Sequence, residues 1–398
     1  MKLLYFVHHT LFDREDGYAS RTHSIAKHLI SKGYSLLVVS KIANSDADLI
    51  QHHDGIDYYR LPRNFDPSNL REGLVAELVE VIEVFKPQKL IAASDWTVGN
   101  VMAKAAERLG LTFAYEMRGL WNLTRVSNAI QQGEIKRDSW LKNEAFQKDF
   151  EKELSVCQKA DKIFTISTAL ADLMHNAGLQ DNKTAIVPNG IELKLTSKTS
   201  DETTVRRELT IGYIGSLADF EGVSLILDAV KAQGKRETAF KVLIVGGSPG
   251  YSSRNAEDDP AVLKLKRQAQ DLGITSSVEI RGRVTSEQAL SAYNEIDVVV
   301  LPRLDLPVCQ IVPPLKPIEA ALYKKPLIVS DVAPLKEIVD QGGAVSFKAG
   351  DCHDLTRALG DVCEDRHALY EAGDKAFNWV SKYRTTEITY APLCDYLY

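Results

Sequence analysis

Positive charge beside a helix start can hold a diphosphate, and the run Asp297–Asp331, DVVVLPRLDLPVCQIVPPLKPIEAALYKKPLIVSD, gathers such groups. Asp297 to Leu301 is a short β-branched run suited to a strand buried on both faces, ended by Pro302 and Arg303. Pro313, Pro314 and Pro317 punctuate a loop, and Pro317 fits a first helical position, where a missing N–H costs nothing. The helix IEAALYKK stops at Pro326, and Leu327 to Ser330 restarts a strand. A helix N-terminus at the end of a parallel strand offers free N–H groups and partial positive charge. Lys316 adds a full charge just before the opening, Arg303 leaves the strand close by, and Glu319 in the first turn can reach sugar hydroxyls. Plainer readings exist: Glu319 as a dipole or capping residue, Lys316 as a solvated loop lysine. Residue chemistry alone leaves both open.

The elements that must position these groups alternate in two runs. Lys2 to Val7 reads as a strand, a helix runs from about Ser20 to Ser31, and Tyr34 to Val39 is the next strand. Gly17 stands at the first turn of this βαβ unit without a GxGxxG pattern; it either admits a ligand to the backbone or only permits a tight turn. Strands and helices continue to Thr184–Val187, including a Lys- and Glu-rich helix from Glu134 to Ala160. The polar stretch from Glu192 to Glu208 reads as a linker. Alternation resumes at Ile211–Gly215 and ends in helices over Cys352–Glu364, Ala368–Tyr383 and Ile388–Tyr398. Two such halves imply an α/β protein with two doubly wound parallel sheets, with ligands beyond the carboxyl ends of the strands, in a cleft between domains.

The chain has 398 residues, 44% apolar and 26% charged, which is globular composition. A net charge of −6 argues against broad nucleic-acid binding, so an anionic substrate must meet local basic residues. Five cysteines without metal-type spacing and an N-terminus with too short an apolar run for a signal peptide point to the cytoplasm. Trp140, Phe146, Phe150 and Leu154 could form an apolar face on their helix; core is the favoured reading, with peripheral contact at the inner face of the cytoplasmic membrane left open.

The stretch PLKPIEAALYKKPLIVSD resembles the donor-site signature of retaining glycosyltransferase family 4, in its PLKPxEAMAxGKPVVxSD form. YIGSLADFEG, IRGRV, VPNG and YEMRG resemble weaker elements of the same family, so the likeness runs along nearly the whole chain. It implies the GT-B fold, two Rossmann-like domains facing across a cleft: an acceptor-side domain over 1–188, a linker over 189–208, a nucleotide-sugar domain over 209–378, and a segment over 379–398 crossing back, with Trp379 in that packing. It further implies that Lys316 contacts the donor diphosphate and Glu319 the nucleotide ribose. The family's sugar-facing glutamate falls at Ile311, or at Gln310 in PLKP-form members. Its diphosphate-binding arginine and lysine fall at Ser216 and Glu221, so positive charge must come from Arg303, Lys316 and Arg283, with Gly215 and Ser216 donating backbone N–H groups. Gly17 faces the donor phosphate and the acceptor, and the Arg283–Val284 loop borders the base.

Arg118 stands where many members have a sugar-facing histidine. It cannot act as a base; it holds a phosphate or sugar hydroxyl, or it pairs with Glu116 or another surface carboxylate. The implied catalytic set is Lys316, Arg118 and Gln310, without a metal, since Asp258–Asp259 and Asp13–Asp16 read as solvated loops. The implied activity moves a sugar from a UDP- or GDP-linked donor to a glycan or lipid-linked acceptor in surface polysaccharide synthesis. The rivals are a GT-B nucleotide-sugar epimerase and a non-catalytic nucleotide-sugar-binding subunit.

Overall fold

The computed structural model describes residues 1–41, 49–61, 70–193, 208–234, 239–250 and 255–397; most of the expected linker lies outside them. The chain forms two compact units, Met1–Glu192 with Thr386–Tyr398, and Leu193–Thr385.

The first unit is built on β1 (Lys2–Val7), β2 (Ser35–Ser40), β3 (Ile50–His53), β4 (Ile56–Arg60), β5 (Lys89–Ala93), β6 (Phe113–Met117), β7 (Lys162–Thr165) and β8 (Thr184–Ile186). Their order is β3-β4-β2-β1-β5-β6-β7-β8. All neighbours are parallel except β3 and β4, an antiparallel hairpin at the edge. Leu3 to Val7 are all buried, as expected of a central parallel strand covered on both faces. The helix Gly17–Ser31 starts where Asp16 accepts a hydrogen bond from Ala19 N, and buries Ile25, Ala26 and Leu29 in the core. The last helix, Ala391–Leu397, adds Leu393, Cys394 and Leu397 to that same core, beside Leu3 and Tyr5.

Two local expectations change. The helix expected over Glu134–Ala160 is broken: Arg137–Lys142 is a 3-10 turn, and Asn143 caps a new helix, Glu144–Lys159, by accepting from Phe146 N at 3.0 Å. Phe146 and Phe150 of that helix are buried. The helix Arg366–Tyr383 stays in the second unit, where Trp379 Nε1 donates to Glu337 Oε1 at 2.9 Å, so the return to the first unit begins at Thr386 rather than 379.

The second unit holds β9 (Glu208–Ile214), β10 (Ala239–Val245), β11 (Val278–Ile280), β12 (Val298–Leu301), β13 (Leu327–Ser330) and β14 (Ala344–Phe347). All pairs are parallel, in the order β11-β10-β9-β12-β13-β14. Chain order reverses between β9 and β12, and in the first unit between β1 and β5. Those reversals open a crevice beyond the strand ends, which is where such sheets bind ligands.

Candidate active site

In the second unit the crevice is formed by the segments leaving β9, β10, β11 and β12. Glycines let these exits converge. A Cβ on Gly246 would stand 1.8 Å from the Gly215 carbonyl oxygen, and one on Gly215 would stand 3.4 Å from Lys316 Cε. Lys316 therefore lies along the exit of β9, although it is a hundred residues further down the chain. It opens the helix Lys316–Leu322, and its Nζ sits 3.0 Å from Glu319 Oε2. The Tyr293 hydroxyl donates to the same oxygen at 3.2 Å. The half-exposed ammonium and its carboxylate partner thus form one preorganised pair at the crevice.

The helix start itself offers less than expected. Pro317 has no N–H, and those of Ile318 and Glu319 already donate to the Leu315 carbonyl at 3.1 and 3.2 Å. The charge at this point is mainly the lysine's.

Arg283 stands beside Gly247 and donates from Nη2 to the Ser248 carbonyl at 3.1 Å. Its Nε is buried and has no hydrogen-bond partner among the described residues. Val284 comes next, partly exposed, and Ser216 is exposed beyond β9. The Tyr213 hydroxyl donates to the Ser216 carbonyl at 2.6 Å, fixing that turn. Asp259 is not the solvated loop residue expected. It is 1% exposed, accepts from Ser248 N and Oγ at 2.8 and 2.7 Å, and caps the helix Pro260–Asp271. Burial opposes its charge, but the bonds from Ser248 outweigh that and hold its carboxyl below the usual range.

Three expected site residues have other work. Arg303 is buried, with Nη2 3.4 Å from Glu221 Oε1 and Nη1 donating to the Val312 carbonyl at 2.8 Å. The carboxylate that looked like an inverted charge in the donor loop is therefore the partner of this arginine, and the pair pins the segment after β12. Gln310 lies in a short helix, Pro307–Ile311, where the sequence suggested loop. Its Nε2 donates to Asp305 at 2.7 Å, and its Oε1 accepts from Ala333 N at 2.9 Å, so both ends of the amide are engaged.

Arg118, in the first unit, is also buried. Nε and Nη2 donate to Glu116 Oε2 at 3.0 and 2.9 Å, and Nη1 to the Tyr18 carbonyl and Thr22 Oγ1 at 2.8 and 2.7 Å. Nη2 also donates to the Tyr5 hydroxyl. These five bonds use every donor a guanidinium has. Arg21 completes the cluster, donating from Nε to Glu116 Oε1 at 2.7 Å and from Nη2 to the Val187 carbonyl at 2.6 Å. Glu116 is fully buried; burial raises its pKa, but the two arginines reverse this and hold it at about 2. Of the two readings of Arg118, the structure selects pairing with Glu116.

The crevice of the first unit is lined by residues the sequence did not single out for chemistry. His8 comes directly after β1, Lys41 after β2, Asp95 after β5, and Trp121 shortly after β6. His8 Nε2 and Lys41 Nζ lie 3.9 and 4.0 Å from Asp95 carboxylate oxygens. The His8 ring is 4.5 Å from that of Trp121, which is 51% exposed and presents an open aromatic face. Burial, and then Lys41, lower the His8 pKa to about 4, so its imidazole is neutral near pH 7. Gly17 is exposed at the start of its helix, next to Asp16, which bonds His9 Nε2 at 3.0 Å. The signal that would have found this set is positional: each lies just past a strand near the reversal.

Comparison with known proteins places this geometry. The profile described as Glycosyl transferase 4-like domain matches residues 16–190, and that described as Glycosyl transferases group 1 matches residues 208–365. A D-inositol 3-phosphate glycosyltransferase of Corynebacterium jeikeium is 24% identical over 282 residues, 67% of this chain and 65% of the relative, so the match spans somewhat less than two thirds of that protein. The sucrose-phosphate synthase of Thermosynechococcus elongatus superposes with a TM-score of 0.78 at 16% identity, covering 100% of this chain and 98% of that one. Anabaena Alr3699/HepE, crystallised with UDP-glucose, gives 0.75 at 17% identity, covering 100% and 99%. Among the described residues no helix is long and apolar enough to cross a membrane. Matched over residues 16–190 and 208–365 by these two glycosyltransferase profiles, the chain belongs to the family 4 glycosyltransferases, which have the GT-B fold.

Proposed function

We propose that this chain transfers a sugar, with retention of anomeric configuration, from a nucleoside-diphosphate donor to a hydroxyl of a glycan or lipid-linked acceptor in surface polysaccharide synthesis. The observation that carries the donor half is Lys316 laid along Gly215, close to Glu319, at the strand reversal of the second unit. Lys316 takes the diphosphate, and Arg283, held beside Gly247 by its bond to the Ser248 carbonyl, supplies a second cation. Glu319, held by Tyr293, accepts from the ribose hydroxyls. As the bond from the anomeric carbon to the diphosphate oxygen lengthens, Lys316 and Arg283 stabilise the developing negative charge. With two cations to neutralise the leaving diphosphate, the proposed reaction needs no metal. The Anabaena relative, crystallised with UDP-glucose, supports a UDP-linked donor over a GDP-linked one. In the first unit, the Trp121 face with neutral His8 and Asp95 suits the faces and hydroxyls of a sugar acceptor.

Calorimetry with UDP and GDP sugars tests the donor site. Lys316→Ala removes a charged contact to the diphosphate, for which a loss of about 10- to 100-fold in affinity is expected. Unchanged affinity would overturn the assignment. Donor binding without any acceptor-dependent product would instead favour the non-catalytic reading, which the engagement of Gln310 by Asp305 and Ala333 makes concrete. Donor epimerised in the absence of acceptor would favour the epimerase.

A further inference from the structure

The hairpin of β3 and β4 carries a group of side chains that the transfer reaction does not use. Its turn is Asp54–Gly55, with φ of +50° and +75°. Asp54 is thereby held in a left-handed conformation that aspartate tolerates, and its carboxylate is aimed back at the helix Gly17–Ser31. There His23 Nε2 lies 3.2 Å from Asp54 Oδ2, while His53 Nε2 lies 4.0 Å from Asp54 Oδ1. One ligand atom from each of the three falls within 4.8 Å of the others. The two imidazole rings are 5.2 Å apart, centre to centre.

We propose that His23, His53 and Asp54 bind a divalent ion of the zinc class, and that this ion clips the edge hairpin of the first unit to its first helix. Two imidazole nitrogens and one carboxylate oxygen form a borderline donor set, preferred by zinc or cobalt over magnesium or calcium, which favour oxygen ligands. The fourth position is open to water, as these residues all lie at the surface or half-buried.

A second observation comes from behind the first. His23 Nδ1 is 2.7 Å from the hydroxyl of Tyr58, a side chain only 2% exposed. An Nδ1–H donated to that hydroxyl leaves the Nε2 lone pair pointing at Asp54 and His53. Metal-binding histidines are ordinarily oriented in this way, through a hydrogen bond from the other ring nitrogen. Phe12 packs edge-on against both Tyr58 and His53, with ring centres 5.2 and 6.0 Å away, and so steadies both rings. The opposing charge is Lys27, whose Nζ is 3.9 Å from Asp54 Oδ2. It is closer to Glu192, at 3.1 Å, and that carboxylate retains it when the ion arrives.

The test uses the full chain, stripped with a chelator and titrated with zinc chloride by calorimetry, and with cobalt chloride by visible absorption. One ion per chain is expected in each case, with cobalt bands of low coordination number, a zinc-dependent rise in the melting temperature, and no heat from magnesium. His53→Ala, an exposed position that does not disturb the fold, should weaken zinc by about 100-fold and abolish the melting shift. Asp54→Asn keeps the turn and should weaken it as well. His52→Ala is the control, since His52 pairs with Asp57 at 2.5 Å instead. Absence of saturable binding, or binding that His53→Ala leaves unchanged, overturns the proposal; the latter would mark adventitious coordination elsewhere.

Discussion

Replacing Arg118 separates a structural role from a chemical one. Arg118→Ala leaves Glu116, which is fully buried, with Arg21 and the Tyr5 hydroxyl as its polar partners, and removes one bond each from Thr22 Oγ1 and the Tyr18 carbonyl, which keep the bond between them. Breaking a buried ion pair by removing one partner costs about 3–5 kcal/mol, because the survivor stays desolvated. Set against a total of about 5–15 kcal/mol for an ordinary domain, that is a large part of the stability. The same change acts on acid tolerance. Glu116 titrates at about 2, below its unfolded value of 4.5; its contribution is full above 4.5 and is lost as the pH falls through 2. Arg118 contributes most to the lowering, so without it the loss begins at higher pH. Urea unfolding followed by tryptophan fluorescence reports chiefly on the relevant unit, since Trp96, Trp121 and Trp140 lie in it and only Trp379 lies in the other. We expect a fall of about 3–5 kcal/mol for Arg118→Ala and a smaller one for Arg118→Lys, which keeps the charge but not the planar fork. Donor affinity at a pH where the variant is folded should stay close to wild type. Wild-type stability in Arg118→Ala would refute this account and make the residue a candidate sugar or phosphate ligand again.

Two further outcomes concern a buried carboxyl and a crowded glycine. Burial pushes the carboxyl of Glu153 up to about 8 from 4.5, while the hydrogen bond from Tyr115 works the other way. Its contribution is complete below 4.5 and is lost as the pH rises through 8, at about 1.4 kcal/mol per pH unit between them. Glu153→Gln should therefore gain on the wild type as urea unfolding is repeated at rising pH, and parallel curves would contradict this. Gly246→Ala places a methyl group 1.8 Å from the Gly215 carbonyl oxygen, so the exits of β9 and β10 must separate. A cost above about 1 kcal/mol in denaturant, together with weaker donor binding, is expected; a variant equal to wild type in both would show that this close approach is not needed.

Strand content was legible where burial on both faces leaves an unbroken apolar run, as in LLYFV and VVVL. It was not legible in Ile50–His53, an exposed antiparallel edge whose Gln and His residues carry no apolar alternation; only the adjoining Asp–Gly pair signalled a turn. The break at Asn143 was hidden because helix-compatible lysines and glutamates flank it on both sides. At the site, the strand–loop–helix around Lys316 could be read directly, being local. The fate of Arg303 could not, since its partner Glu221 follows the neighbouring strand β9, much earlier in the chain. The same applies to Arg118, where Glu116 is two residues away but Tyr5, Tyr18 and Thr22 come from the first strand and helix. Charged residues in a loop advertise availability; whether they are already engaged depends on contacts distant in sequence.

The chain departs from the first unit after Glu192 and rejoins it at Thr386, where the Thr386 N–H donates to the Ile191 carbonyl at 3.1 Å. The segment that then completes the interior beside Leu3 and Tyr5 is made only after the whole second unit. β1 is therefore synthesised ahead of its cover and stays incompletely covered throughout the production of nearly two hundred intervening residues. The second unit, which contains all of its own strands, is free to mature in the meantime. A chain that stopped before Thr386 would carry a sound second unit attached to an unfinished first one.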